Sequence, residues 1–123
     1  MPDSKTILIA DDDRMIRIAL RESLRGGFFR LLEAADGTDA VALAHQERPD
    51  LVLLDIGLPG LDGREVLTEL KNNPATIGMK VVMVTGRDHP RDRQYGFDHG
   101  ADGYITKPFS PLAVLTYVRG LLG

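Results

Sequence analysis

The stretch "ILIADDDR", residues 7–14, runs four apolar side chains straight into three aspartates. A continuous apolar run of that length suits a strand buried on both faces. The aspartates at its end form either a solvated turn or a group of carboxylates that holds something positive. A helix starting just after them would also favour acidic residues, through capping and its dipole alone. The stretch therefore decides nothing until the rest of the chain is set beside it.

Working outward, the apolar run recurs at "LLEA" (31–34), "LVLLD" (51–55), "VVMVT" (81–85) and "YIT" (104–106). Helical spacing fills the gaps. "DRMIRIALRESLR" sets Ile16, Leu20 and Leu24 four residues apart and puts Arg14, Arg17, Arg21 and Arg25 largely on another face, which reads as solvated. "GTDAVALAHQ" is expected to start at a Thr38 cap, and "GREVLTELKNNP" gathers Val66, Leu67 and Leu70 before stopping at Pro74. "DHPRDRQYGFDHG" is expected to be capped by Asp88, with Pro90 in the first turn and Gly96 interrupting it. "SPLAVLTYVRGLLG" opens on a Ser110 cap and carries Leu112, Leu115, Val118 and Leu122. "RGGFFR" reads as a helix end. Five strands alternating with five helices imply a mostly parallel sheet covered on both faces, one α/β domain spanning 1–123.

Composition removes several function classes. A net charge of -3 supplies no basic footprint, so nucleic-acid binding by this domain is not expected. Without cysteine there is no disulfide and no thiolate zinc site. "MPDSKT" lacks the order of a signal peptide, and no apolar run reaches the roughly 18 residues that would span a bilayer. A cytoplasmic protein with no membrane association is the expectation. His45, His89 and His99 stand apart from the acidic residues and show no ligand spacing.

In a sheet of this kind, ligands sit beyond the carboxyl ends of the strands, where strand order reverses. If the first and third strands are neighbours, the "DDD" aspartates converge on Asp55. Bare carboxylates so close either raise a pKa or recruit a cation. Oxygen ligands that leave room for waters favour Mg²⁺. Thr85 and Lys107 end strands on the same edge and add a hydroxyl and a compact ammonium. Together these groups suit phosphoryl handling, with a carboxylate as nucleophile.

The sequence "DDD", then "PDLVLLDIGLPGLDG", "VTGRD" and "GADGYITKPFSP", in that order and spacing, resembles the receiver domain of two-component response regulators from Lys5 onward. The resemblance implies a CheY-like, flavodoxin-like (βα)5 three-layer sandwich with strand order 2-1-3-4-5. It further implies that Asp55 accepts a phosphoryl group from a histidine kinase or phosphotransfer protein. Asp11 and Asp12 would hold Mg²⁺ (or Mn²⁺) with Asp55 and the backbone carbonyl of Gly57, Asp12 directly and Asp11 largely through water. Asp13 is not expected to be a ligand. Thr85 and Lys107 would bind the phosphoryl group, and the Lys107–Pro108 bond would be cis. Tyr104 would turn inward as Thr85 moves, reshaping a surface over 88–119 for a downstream protein. Gly57 and Arg87 would tune phosphoryl lifetime, and Gly86 would leave the pocket entrance open.

An aspartate-nucleophile phosphatase needs a second acid two residues after the first, and position 57 is Gly. A dinucleotide-binding domain needs a G-x-G-x-x-G that does not follow the first strand. The surviving alternative is a receiver fold used as a phosphate-independent protein-binding module. The domain is thus expected to be a signalling switch with self-phosphorylation and autodephosphorylation chemistry, not a turnover enzyme.

Overall fold

Every apolar run of the sequence becomes a strand, and side-chain alternation divides each one between two cores. The computed structural model describes residues 4–86 and 90–123, with residues 90–93 as backbone alone. In chain order these are β1 (Thr6–Ala10), α1 (Arg14–Leu24), a 3₁₀ turn (Arg25–Gly27), β2 (Arg30–Ala34), α2 (Gly37–Glu47) and β3 (Leu51–Asp55). They continue with α3 (Gly63–Lys71), β4 (Lys80–Thr85), α4 (Pro90–Asp98), β5 (Gly103–Thr106) and α5 (Pro111–Leu122). All pairings are parallel and the strand order is β2-β1-β3-β4-β5, as the resemblance implied.

The central strands are buried on both faces, which explains their lack of a polar alternation. Ile7 and Ile9 of β1, Leu51 and Leu53 of β3, and Val82 and Val84 of β4 pack with Leu20 and Leu24 of α1 and Val114 and Val118 of α5. Leu8, Val52, Leu54, Val81 and Met83 point the other way, onto Ala40 and Ala44 of α2 and Val66, Leu67 and Leu70 of α3. Each fully buried Leu or Ile contributes about 1.5–3 kcal/mol. A shift of register by one residue would exchange the two cores. The strand ends are therefore held firmly in place, and the loops beyond them inherit that placement.

Local details differ from the sequence reading in several places. The α2 cap is Asp36, whose side chain accepts from the Asp39 amide; Thr38 lies inside the helix. Asp36 wins because its carboxylate accepts that amide from a residue still in extended geometry, whereas Thr38 is already within the first turn. On α5, Ser110 does cap the helix, but Leu112 is 72% exposed and Val114 is buried in its place. In "RGGFFR" the left-handed residue is Phe28 (φ 59) and not a glycine. The expected Asp88 cap lies outside the described residues.

Candidate acidic pocket at the carboxyl edge of the sheet

Because β1 and β3 are neighbours with Ala10 opposite Leu54, the next residue of β1's chain, Asp11, arrives beside Asp55. One carboxylate oxygen from each of Asp11, Asp12 and Asp55 lies within 4.8 Å of the others. Asp11 is 1% exposed, Asp55 is half-buried and Asp12 is exposed. The third aspartate of "DDD" has a different task. Asp13 caps α1, its Oδ1 accepting from the Met15 amide at 2.8 Å. The run therefore divides: Asp13 caps α1, and Asp11 and Asp12 join the cluster.

Lys107 supplies the positive charge. Its backbone amide donates to the carbonyl of Thr85, 2.7 Å away, which fastens the loop after β5 to the end of β4. The Lys107–Pro108 peptide is cis, as expected. Its ammonium donates to Asp11 Oδ2 at 2.9 Å and stands 3.5 Å from Asp55 Oδ1. Burial acts to lower the Lys107 pKa, but the hydrogen bond it donates to Asp11 and the charges of both aspartates outweigh it, so the net direction is upward. Asp55 is also raised, first by burial and then by the Asp11 charge; Lys107 and a hydrogen bond from the Gly57 amide act against this, and Asp12 adds to it. The acid is held in a site that penalises its charge.

Thr85 ends β4 and is 5% exposed. Gly57 follows Asp55 by two residues, and a Cβ there would come within 3.9 Å of Asp55 Oδ2, so the missing side chain leaves that oxygen uncovered. A Cβ at Gly86 would meet nothing within 4 Å among the described residues. Tyr104 sits on β5, half-buried, its ring 5.4 Å from that of Phe97 on α4. Its hydroxyl occupies the space a Cβ at Gly96 would need, 2.1 Å away, so Gly96 lets the ring lie across α4. The same glycine does not interrupt the helix, which runs from Pro90 to Asp98. Arg87 and His89 lie outside the described residues. His45 Nε2 is 3.9 Å from Glu69, and His99 stacks on Tyr95; neither joins the pocket.

Two contributors escaped the sequence reading. Gly63 packs where a Cβ would stand 2.3 Å from the Asp55 carbonyl oxygen, and its amide donates to Ile56 O at 2.8 Å. This folds the "IGLPGLD" loop back onto the end of β3 and aims Asp55. The other is Arg17. The arginine stripe of α1 reads as solvated, yet Arg17 and Arg21 both pair with Glu33 at 3.0 Å, and Arg17 also donates to the Asp11 carbonyl at 2.8 Å. A glutamate on β2, a different element, pairs with both side chains and holds Arg17 inward, and α1's own periodicity carries no trace of it.

Residues 7–119 match the family model described as the response regulator receiver domain. The chain belongs to that family. It is 38% identical over 119 residues to the alkaline phosphatase synthesis transcriptional regulatory protein PhoP of Bacillus subtilis (strain 168), a match covering 97% of this chain and 49% of that protein. The chain thus spans about half the length of that relative. Among solved structures, a CheY-like response regulator receiver domain protein from Methanospirillum hungatei JF-1 superposes with a TM-score of 0.90 at 32% identity, covering 98% of this chain and 94% of that one. The BeF3-activated DrrB receiver domain superposes at 0.86 with 30% identity, covering 97% of each chain. Receiver domains are signalling modules, and this chain carries an acidic cluster at the carboxyl edge of its sheet. No helix among the described residues is long and apolar enough to cross a membrane.

Proposed function

We propose that residues 1–123 form one receiver domain that acts as a phosphorylation-dependent switch, with Asp55 as the acceptor. The observation that carries this reading is the Lys107 ammonium standing between the buried Asp11 carboxylate and Asp55, at 2.9 and 3.5 Å. In the transfer, an Asp55 carboxylate oxygen attacks the phosphorus of a phosphohistidine. The P–N bond breaks, the imidazole leaves with the bonding pair, and an aspartyl phosphate remains. Lys107 would pair with the phosphoryl oxygens as their charge moves onto Asp55, and the Thr85 hydroxyl would hydrogen-bond them afterwards.

The donor set fits a hard divalent cation: three carboxylates with oxygens mutually within 4.8 Å, and no nitrogen or sulfur ligand among them. Asp11, Asp12 and Asp55, with the Gly57 carbonyl, would hold Mg²⁺ or Mn²⁺. When bound, the ion neutralises charge on the transferring group. Removal of the phosphoryl group by water returns the switch to its start, with access governed in part by the bare Gly57 and by Arg87.

The output follows from differential binding. A phosphoryl group that attracts Thr85 favours the state in which Tyr104 turns inward, and only a difference between states can shift their populations. The 88–119 surface would then meet a downstream protein, after transfer from a histidine kinase or phosphotransfer protein. The PhoP relative is by name a transcriptional regulatory protein and is about twice as long, so an output region in the same chain is an equally direct target.

Intact mass spectrometry tests this reading. The wild type, incubated with acetyl phosphate and with a phosphorylated histidine kinase, should gain one phosphoryl group in Mg²⁺ and none in chelator. Asp55→Asn should gain none. An unchanged mass with both donors would leave the phosphate-independent binding module as the better account.

A further inference from the structure

We infer that Arg17 is a positioning residue for the metal-binding loop, a role that rests on the Mg²⁺-dependent reading above. The starting point is Asp11, whose four polar groups are all engaged. Its amide donates to Ala34 O at 3.1 Å, Oδ1 accepts from the Asp13 amide at 2.9 Å and Oδ2 from Lys107 at 2.9 Å. The remaining group, the carbonyl, accepts from Arg17 Nη1 at 2.8 Å.

That carbonyl lies in the same rigid plane as the amide of Asp12. Rotation about the Asp11 Cα–C bond moves both together, so a hydrogen bond that fixes the carbonyl also fixes where the Asp12 Cα is set. Asp12 is exposed, and the Asp13 amide bound to Asp11 Oδ1 closes the backbone turn around it. Through Arg17 the Asp11–Asp12 peptide gains a further tie, to Glu33 on β2. The guanidinium is itself anchored from behind: Nε donates to Glu33 Oε1 at 3.0 Å, and Arg21 holds the other oxygen of Glu33 at 3.0 Å. Glu33 lies opposite Ile9 in the β1–β2 register, so the chain of contacts runs from strand to arginine to loop. Its planar, forked donor set lets Arg17 serve both acceptors at once, which an ammonium does less well.

The sign of one measurement separates positioning from simple charge. As a positive charge near a cation site, Arg17 opposes Mg²⁺, so removing it would tighten binding. As a positioning group it preorganises Asp12, so removing it would weaken binding. Arg17→Met keeps an unbranched stem and deletes the guanidinium. Mg²⁺ affinity is read by calorimetry, and by amide shifts at Asp11 and Asp12, for the wild type, Arg17→Met, Glu33→Gln and Arg21→Met. Arg17→Met should bind about tenfold more weakly, as loss of an outer-shell partner of a metal site typically does. Glu33→Gln should fall between it and the wild type, and Arg21→Met, which removes only a support of Glu33, should lie closer to the wild type than Glu33→Gln. A merely structural role would lower the metal-free melting temperature without changing the dissociation constant. Equal or tighter binding by Arg17→Met overturns the inference; should that variant not fold, equal or tighter binding by Glu33→Gln does so. A wild type that takes up no Mg²⁺ instead removes the metal reading on which the inference stands.

Discussion

Replacing Asp55 with asparagine should make the metal-free protein more stable, although the change takes away a partner of Lys107. The attraction across 3.5 Å is about 5 kcal/mol gross at an effective dielectric constant near 20. The Asp11 carboxylate, with an oxygen within 4.8 Å of one on Asp55, repels it by about 3.5 kcal/mol or more on the same basis. These two opposing quantities largely cancel. What remains is the loss of water around a side chain only 13% exposed, together with the charge of Asp12, and both act against the ionised acid. Asparagine keeps the shape and can still accept from the Gly57 amide. A net gain of about 1–2 kcal/mol at neutral pH follows, modest beside the several kcal/mol that burying an uncompensated ion can cost.

Urea denaturation followed by circular dichroism, in chelator, measures this directly. For a domain of this size the gain corresponds to roughly 5 °C in melting temperature. Its pH dependence has a fixed sign. Burial and Asp11 hold the folded pKa of Asp55 above its unfolded value, so the ionised acid destabilises the fold at neutral pH. As pH falls through the raised folded pKa, the wild type takes up a proton and recovers that stability, until below the unfolded value of about 3.9 both states carry it. The difference between variant and wild type must therefore shrink on acidification. Saturating Mg²⁺ should reverse the order by stabilising the wild type more. A metal-free variant that is less stable at neutral pH would refute the reasoning, because Lys107 would then outweigh burial and repulsion together.

Two further substitutions separate support from chemistry. Asp13→Ala removes the α1 cap and should cost about 1 kcal/mol in urea denaturation while leaving the yield of phosphorylated protein unchanged; a lost yield would make Asp13 part of the pocket. Gly63→Ala sets a methyl 2.3 Å from the Asp55 carbonyl and should cost about 2–3 kcal/mol, with slower phosphorylation of the folded fraction, checked by denaturation and mass spectrometry. Wild-type stability in Gly63→Ala would mean that the loop does not lean on β3.

The strands and the pocket were legible in the sequence for one reason. Strands buried on both faces cannot alternate, so "ILIA", "LVLL" and "VVMV" announce themselves, and a parallel arrangement sends all their carboxyl ends to one edge. Asp11, Asp12, Asp55, Thr85 and Lys107 follow from that edge. Strand order did not follow from periodicity and came from the likeness to receivers. Arg17 was misread because its partners, Glu33 and the Asp11 carbonyl, belong to other elements. Asp36 was passed over for Thr38 because both residue types cap helices well, and spacing alone cannot separate positions two apart. Leu112 fell on the wrong side of α5 because that helix is apolar nearly all round, leaving the buried face undetermined by pattern.

The unequal grip of Lys107 suits the proposed chemistry. An acceptor carboxylate bound tightly by an ammonium would be a poor nucleophile, since the lone pairs needed for attack would already be engaged. Here the ammonium is closer to Asp11, at 2.9 Å, than to Asp55, at 3.5 Å. Asp11 can accept that role because it is buried and its amide, carbonyl and Oδ1 have partners other than Lys107, which hold its position when the ammonium shifts. Asp55 keeps one oxygen facing the bare Gly57 side of the pocket. The site thus keeps its counter-charge beside the acceptor without spending it on the resting carboxylate. A phosphoryl group arriving on Asp55 brings oxygens and charge that compete with Asp11 for the same ammonium. Under the proposed function, movement of Lys107 from one acid toward the other's phosphate would be downhill only in the modified protein, which is the property a switch needs.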